Sequence, residues 1–276
     1  MKELKIKIPR RDEGKVLHAI FTCNAEDGQQ ANDLIESKTP KKNPLIIMIH
    51  GFTGDKSEWG RFDEAAKRLC QIKSDDYPWC VLRFDIVGSG ENEREPILLS
   101  KGIENLEDVY NWAKDHGFTN IATIGLSFGG LISLMADLPG RKAAVFWAPG
   151  FFLKKAMGFT QKLLATILAI LAPRKEVRID SSNPDYAPII INSYFFREIS
   201  TKEAEKRLRA FNTPSLVVQG TKDDIVKSEN NYYAFSLMPH DENHKLVKVE
   251  GANHDFKDKH LEIFIDATID FLKKYI

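Results

Sequence analysis

Short apolar runs alternate with stretches of helical periodicity along most of this chain. The run Leu-Ile-Ile-Met-Ile at residues 45–49 is typical of a strand that is covered on both faces. The strands predicted after it lie at residues 79–84, 121–124, 143–147, 215–219 and 245–249, and the helices at 103–115, 129–136, after 228 and 260–274. Such alternation predicts an α/β fold with a mostly parallel central sheet flanked by helices.

Two segments depart from this alternation. Residues 4–8 alternate apolar and charged side chains, and residues 16–22 follow a short polar turn, so we expect a β-hairpin at an edge of the sheet. Residues 150 to about 200 contain an apolar stretch, three prolines and an aromatic cluster, which is too much chain for a simple connection. We therefore predict one domain, residues 1–276, with a small cap inserted at approximately 151–200.

The most apolar stretch, residues 163–172, lies inside the predicted cap. It is bounded by Lys162 and Pro173 and is much shorter than the roughly 20 residues that span a bilayer. We predict a helix packed against the protein or over a pocket, and no stable membrane insertion.

Charge and cysteine content exclude several classes of partner. Lys plus Arg and Asp plus Glu both number 39, so no charge surplus favours nucleic acid or an anionic membrane surface. The three cysteines, Cys23, Cys70 and Cys80, cannot all pair within the chain and form no Cys-x-x-Cys motif, so we expect buried thiols in a reducing compartment. Because the first residues are too charged for a signal peptide, a cytoplasmic location is expected.

A candidate nucleophile lies between the predicted strand 121–124 and the predicted helix 129–136. The motif there is Gly125-Leu126-Ser127-Phe128-Gly129, whose glycines permit a sharp turn that holds the serine in strained backbone geometry. Ser127 would stand at a helix N-terminus, where the dipole favours developing negative charge. The alternative is a glycine-rich turn that only packs a helix on a strand.

The motif His50-Gly51-Phe52-Thr53-Gly54 follows the first buried strand. Its glycines free the backbone to turn amides toward a cleft. We predict that the backbone amides of Phe52 and Phe128 form an oxyanion hole for a tetrahedral intermediate. His50 is predicted to be structural, with hydrogen bonds inside its own loop.

Two carboxylates follow the predicted strand 215–219, at the sheet edge where α/β folds build their sites. Asp223 is favoured as the residue that accepts a hydrogen bond from the imidazole N–H, and Asp224 is the alternative. Whichever is not used would be a solvated turn residue.

A candidate base, His254, follows the predicted strand 245–249. Of the seven histidines it alone occupies a strand-to-helix loop late in the chain, from which it could reach Ser127. The neighbouring histidines, His240, His244 and His260, are expected at the surface, as His254 itself would be if it had no catalytic role.

The chain order Ser, Asp, His is the order described for α/β-hydrolases and differs from that of trypsin-like and subtilisin-like proteases. The pairing of His50-Gly51-Phe52 with Gly125-Leu126-Ser127-Phe128-Gly129-Gly130 resembles the α/β-hydrolase branch that holds monoacylglycerol lipases and feruloyl-type esterases. The resemblance covers nearly the whole chain, because residues 84–91 also look like that branch's loop after its fourth strand. It implies an α/β-hydrolase fold with a small inserted cap.

Two positions in that loop depart from the resemblance. The family often has Arg where Val87 stands and Ser where Asn92 stands. The neighbouring Gly88-Ser89-Gly90 lacks a third glycine at Gly-x-Gly-x-x-Gly spacing, which excludes a dinucleotide-binding fingerprint.

These residues predict a serine hydrolase that cleaves a small-molecule carboxylic ester through an acyl-enzyme on Ser127, with His254 as base and Asp223 orienting it. No metal or organic cofactor is required. Because His254 must be neutral, activity should fall on acidification.

The substrate prediction depends on the cap. Short- to medium-chain acyl or aryl esters are preferred, followed by lipid monoesters and then amides or peptides. Phe151, Phe152, Phe159 and the stretch 163–172 would line an acyl or aryl pocket or form the cap's own core. A non-catalytic binding scaffold of the same fold is the remaining alternative. The sequence predicts no oligomeric state.

Overall fold

The computed structural model describes residues 1–156 and 175–276. Its strands are β1 (Lys2–Pro9), β2 (Val16–Cys23), β3 (Leu45–Ile49), β4 (Lys73–Ser74), β5 (Tyr77–Pro78), β6 (Cys80–Phe84), β7 (Ile121–Leu126), β8 (Ala143–Trp147), β9 (Val177–Ile179), β10 (Ile189–Ile191), β11 (Ser215–Gly220) and β12 (His244–Val249). The helices in this part of the chain are α1 (Gly28–Glu36), α2 (Arg61–Leu69), α3 (Leu99–Asp115), α4 (Phe128–Met135), α5 (Leu153–Ala156), α6 (Ser193–Glu198), α7 (Thr201–Arg209), α8 (Ser228–Leu237) and α9 (Lys259–Leu272).

The central sheet has eight strands in the order β1-β2-β6-β3-β7-β8-β11-β12. The first two strands form an antiparallel hairpin, β2 pairs antiparallel with β6, and all later neighbours are parallel. The mostly parallel α/β sheet predicted from the sequence is therefore confirmed. The hairpin prediction needs one correction: of its two strands only β1 lies at an edge of the sheet, because β6 pairs with the far side of β2.

Alternate residues of β3 belong to the two halves of the apolar core. Leu45, Ile47 and Ile49 pack with residues of α3 and α4 on one face of the sheet. Ile46 and Met48 pack with residues of α2 and α9 on the other face. The continuous apolar run is explained by this burial on both faces.

The carboxyl ends of the six parallel strands meet at one edge of the sheet, since neighbouring parallel strands run in the same direction. The loops that leave this edge carry the following residues in chain order: His50, Asp85, Ser127, Asp223 and His254. Open α/β sheets bind ligands at this edge.

One expected surface histidine is buried. β12 begins at His244, which is 8% exposed, and the His244 Nδ1 lies 2.7 Å from the Ser215 Oγ on the neighbouring strand. The surface prediction was wrong here because the strand extends one residue further toward its N-terminus than the apolar pattern indicates.

The segment between β8 and β11 holds a separate two-stranded sheet, β9 and β10, and the helices α6 and α7. It is joined to the main body at Ile97, whose N–H donates to the Ile190 carbonyl at 2.8 Å. The predicted helix at 163–172 and Phe159 lie outside the described residues, and a cap at approximately 151–200 stays a prediction. Within residues 1–156 and 175–276 no helix is long and apolar enough to cross a membrane.

Candidate active site

Ser127 occupies a sharp turn between β7 and α4. Its backbone has φ +51° and ψ −113°, a positive-φ conformation that costs free energy in a residue with a side chain. Two hydrogen bonds hold the turn: the Ser127 N–H donates to the Trp147 carbonyl at 3.0 Å, and the Ser127 carbonyl accepts from the Gly150 N–H at 2.8 Å. The strained serine is thus anchored to the end of the adjacent strand.

The glycines of the serine motif are required by close packing of the backbone. A Cβ on Gly129 would overlap the Ile49 carbonyl oxygen and lie 2.6 Å from that of His50. A Cβ on Gly125 would lie 2.8 Å from the Cα of Gly130. The start of α4 therefore lies directly against the end of β3, which brings the serine turn beside the loop at residues 50–54.

The backbone amides of Phe52 and Phe128 are both available for a ligand. Phe128 is the first residue of α4, where an N–H has no partner within the helix. Neither amide donates a hydrogen bond to any residue in the described part of the chain. The two loops are close, because a Cβ on Gly51 would lie 3.6 Å from the Cβ of Ser127.

The side chains of the same two phenylalanines form an aromatic cluster with Phe195 of α6. The Phe52 and Phe128 rings meet edge to face with centroids 5.8 Å apart. Phe195 lies 5.0 Å from the Phe52 ring and 5.6 Å from the Phe128 ring. These ring contacts restrict the movement of Phe52 and Phe128, the two residues whose backbone amides are unpaired.

Asp223 is hydrogen-bonded to His254. The Asp223 Oδ2 lies 2.9 Å from the His254 Nδ1, and the carboxylate side chain is fully enclosed. Its Oδ1 accepts from the N–H groups of Ile225 at 3.0 Å and Val226 at 2.7 Å. Asp224 is exposed. The structure therefore brings Asp223, and not Asp224, to the histidine.

Ser127 and His254 lie on loops of the same sheet edge, but no direct hydrogen bond joins their side chains within the described residues. The His254 side chain is 15% exposed, so its ring is reachable from solvent. Sites without substrate often have long catalytic contacts that tighten on binding.

His50 has the structural role expected from the sequence. It is completely buried, its Nε2 accepts from the Ile86 N–H at 3.0 Å, and its Nδ1 lies 2.7 Å from the Gly51 carbonyl. Because Nε2 is the acceptor, the ring proton is assigned to Nδ1. The ring ties the loop after β3 to the loop after β6.

A buried ion pair between Lys56 and Asp85 was not predicted from the sequence. The Lys56 Nζ lies 2.7 Å from the Asp85 Oδ2, and the Lys56 N–H donates to Oδ1 at 2.8 Å. Burial opposes the charge of Lys56, but Asp85, together with Tyr186 and Glu91, outweighs burial and raises the pKa of Lys56. The sequence contains one signal of this pair, because Asp85 is a charged residue directly after the buried strand β6. It does not identify Lys56 as the partner, which lies 29 residues away.

At Asn92, one of the two positions that depart from the family resemblance, both polar atoms of the side chain are hydrogen-bonded. Its Nδ2 donates to the carbonyls of Asp85 at 2.7 Å and Ile86 at 3.1 Å. Its Oδ1 accepts from the His18 N–H at 2.9 Å. The asparagine thus links β2 to the loop after β6.

Val87, the other position that departs from the resemblance, is buried, and its N–H donates to the Asn105 Oδ1 at 2.8 Å.

The phenylalanines that follow β8 pack into the core. Phe151 is 1% exposed and meets Phe146 of β8 with ring centroids 5.0 Å apart. Phe152 is 3% exposed and lies 5.7 Å from the ring of Tyr233. Both belong to the hydrophobic core cluster. Phe151 therefore packs into the core of the central sheet, whereas the roles foreseen for it were a pocket lining or a separate core of the cap.

Among the side chains of residues 1–156 and 175–276, no group of three or more His, Cys, Asp or Glu is arranged to hold a metal ion. The three cysteines are free and buried. Burial raises the pKa of Cys23 to about 11 and that of Cys70 to about 12.

Comparison with known proteins finds several similar chains. A monoglyceride lipase homolog of Monkeypox virus is 24% identical over 76% of this chain and 81% of the viral protein. Est1E from Butyrivibrio proteoclasticus, solved with ferulic acid bound, superposes with a TM-score of 0.69 at 24% identity, and the match covers 98% of both chains. The monoacylglycerol lipase from Paleococcus ferrophilus gives a TM-score of 0.69 at 19% identity, over 86% of this chain and 96% of the archaeal one.

The solved structures share the fold of this protein at low sequence identity. The model of the alpha/beta hydrolase family matches residues 46–256, which include Ser127, Asp223 and His254. The chain belongs to the alpha/beta hydrolase family.

Proposed function

We propose that this protein is a serine hydrolase of carboxylic esters, with Ser127 as nucleophile, His254 as general base and Asp223 as the residue that orients the base. The observation that carries the proposal is that a strained Ser127 and a hydrogen-bonded His254–Asp223 pair lie on loops at the same edge of the sheet. Strained serines on strand-to-helix turns are typical of nucleophiles in this fold.

In the proposed mechanism, the Ser127 Oγ attacks the ester carbonyl carbon while the His254 Nε2 takes the hydroxyl proton. The amides of Phe52 and Phe128 stabilise the negative oxygen of the tetrahedral intermediate. Collapse of the intermediate breaks the bond to the alcohol, which leaves with the proton from His254. A water molecule, deprotonated by His254, then releases the acid and restores Ser127.

Asp223 would act on the histidine in two ways. Its hydrogen bond to Nδ1 selects the tautomer whose Nε2 is free to accept a proton, and its charge stabilises the imidazolium that forms. Because Ile225 and Val226 also donate to its carboxylate, the group is held in one orientation.

For the substrate we favour short- to medium-chain acyl or aryl esters. The aromatic cluster of Phe52, Phe128 and Phe195 makes the surroundings of the proposed oxyanion hole apolar. The ferulic acid bound to Est1E is an aryl acid, which supports the aryl class. Lipid monoesters are the second candidate, favoured by the similarity to a monoglyceride lipase homolog and a monoacylglycerol lipase.

The test treats purified protein with a fluorophosphonate probe, locates the adduct by mass spectrometry and assays p-nitrophenyl esters of increasing chain length. An adduct on Ser127, and a loss of kcat of about 10⁴-fold or more in Ser127→Ala, are expected. Absence of both adduct and turnover from folded protein would favour the non-catalytic scaffold. A chain-length optimum separates short acyl esters from lipid monoesters.

A further inference from the structure

Glu58 is a buried acid whose role the proposed mechanism leaves unassigned. Its side chain is 4% exposed, and its Oε1 accepts a hydrogen bond from the Gly51 N–H. Gly51 directly precedes Phe52, whose amide is a proposed oxyanion donor. A Cβ on Gly54 would lie 2.7 Å from the Glu58 carboxyl carbon, so the loop at residues 50–54 wraps closely around this carboxylate.

Arg61 connects the same carboxylate to the loop that carries the proposed base. Its Nη2 lies 2.8 Å from the Glu58 Oε2, and its Nη1 donates to the carbonyls of His254 at 3.3 Å and Asp255 at 3.2 Å. The guanidinium also lies over the Phe256 ring, 5.0 Å from its centroid. The buried ion pair of Glu58 and Arg61 thus connects the backbone of Gly51 to the backbone of His254.

The backbone that presents this pair is strained. Glu58 has φ +47° and Trp59 has φ +57°, and both conformations are unfavourable in residues with side chains. Trp59 is half exposed and contributes little burial to offset that cost. Such strain persists only where surrounding contacts hold it, and here the contacts are those of Glu58 and Arg61.

The chemistry of the pair suits a spacer between two loops. A guanidinium is a planar, rigid fork, and its hydrogen bonds to a carboxylate fix distance and angle better than an apolar contact does. The Glu58 end holds the Gly51 N–H, one residue before the Phe52 amide, and the Arg61 end holds the backbone carbonyl of His254. A misplacement of about 1 Å between catalytic groups costs roughly 10²-fold in rate.

We infer that Glu58 and Arg61 are positioning residues that set the distance between the oxyanion-hole loop and the histidine loop. The inference rests on the proposed serine hydrolase function, and neither residue contacts the reacting atoms. Their loss should lower kcat, with little effect on KM, because ground-state binding does not depend on that distance.

The experiment uses Arg61→Lys and Glu58→Gln in the full chain. Lysine keeps the charge but lacks the fork that reaches the carboxylate and both carbonyls, and glutamine keeps the size but loses the charge. The matched control is Arg68→Lys on the same helix, α2, because Arg68 pairs at 2.6 Å with Asp266 at the surface and neither residue belongs to either loop.

Each protein is first titrated with a fluorophosphonate, and kcat on p-nitrophenyl butyrate is expressed per labelled Ser127. This correction removes any loss caused by a smaller folded fraction, which a purely structural role would produce. We expect kcat per titrated site to fall about 10- to 100-fold in Arg61→Lys and Glu58→Gln, with KM changed less than about threefold, and to stay at the wild-type value in Arg68→Lys.

Wild-type kcat per titrated site in both variants would overturn the inference and leave the proposed function intact. If the wild-type protein itself shows neither label nor turnover, the proposed function fails instead. If Arg61→Lys does not fold, the result for Glu58→Gln decides alone. Glu58→Gln is expected to fold, because the amide oxygen of glutamine can still accept the hydrogen bond from the Gly51 N–H.

Discussion

The Nδ1 of His254 lies 2.9 Å from the Oδ2 of Asp223, a carboxylate whose other oxygen is occupied by two backbone amides. Gln219 adds a fourth hydrogen bond, from its Nε2 to Oδ2 at 3.1 Å. Asp224, the residue after Asp223, is exposed. Removal of the Asp223 carboxylate should therefore have a different effect from removal of the Asp224 carboxylate.

Asp223→Asn should lower kcat by about 10⁴-fold, because the amide favours the wrong histidine tautomer and does not stabilise the imidazolium. The matched control, Asp224→Asn, should stay within about twofold of wild type. Steady-state kinetics on p-nitrophenyl butyrate provides the measurement. Equal losses in the two variants would contradict the assignment of Asp223.

Gly129→Ala should destabilise the protein by about 1–3 kcal/mol or more, because the added methyl overlaps the Ile49 carbonyl at the start of α4. Gly28→Ala is the control: a Cβ there has no neighbour within 4 Å, and the residue has an ordinary φ. That variant should be neutral or more stable by about 0.4–1 kcal/mol. The free energy of unfolding is measured in urea, and a Gly129→Ala midpoint equal to wild type would refute the packing argument.

Lys56→Met should cost about 3 kcal/mol of stability, because it leaves the Asp85 carboxylate buried without its counter-ion. Lys5→Met provides the comparison, since Lys5 is exposed and lies 3.6 Å from Glu91. Exposed pairs of this kind contribute about 0–1 kcal/mol. Urea unfolding of both variants tests the difference, and a small loss in Lys56→Met would mean that backbone hydrogen bonds alone satisfy Asp85.

Glu95 should make the protein sensitive to acid. Burial opposes its ionisation, but hydrogen bonds from Arg10 and Lys15 outweigh burial and hold the pKa of Glu95 below its ordinary value of 4.5. Because the folded-state pKa is the lower one, this stabilisation is complete above about pH 4.5 and is lost as the pH falls through the folded-state value.

The variant Glu95→Gln should therefore be less stable than wild type at pH 7, by about 1–2 kcal/mol, since Asp12 still pairs with Arg10. Unfolding free energies measured from pH 7 to pH 3 should converge for the two proteins at the acid end. A constant difference across that range would show that the charge of Glu95 is not the cause.

The three cysteines should resist alkylation in the native protein. Burial raises the pKa of Cys23 to about 11 and of Cys70 to about 12, and raises that of Cys80 well above its usual range, so almost no thiolate exists at pH 8. Iodoacetamide followed by mass spectrometry should find no adduct on folded protein and three after denaturation. Rapid modification before unfolding would contradict the burial.

The helices and strands with long apolar patterns were predictable from sequence. Residues 143–147 were predicted as a strand, as observed, and most other predicted elements differ by a few residues at their ends. The nine-residue helices α1 and α2 were not predicted. In α2 the buried residues Phe62, Ala65, Ala66 and Leu69 recur at helical spacing, but two of the four are alanines, which give a weak apolar signal. The strands β9 and β10 have three residues each, too few to show a period.

The sequence by itself determined the alternation of strands and helices, the glycines of the serine turn and the loops from which a site would be built, because each depends on neighbouring residues. Only the tertiary structure decided which aspartate meets His254, which amides stay unpaired, and which charges pair across the site. Glu58, Arg61 and Lys56 are typical solvated charges by local pattern, and their burial and partners arise from loops that approach one another only after the sheet has assembled.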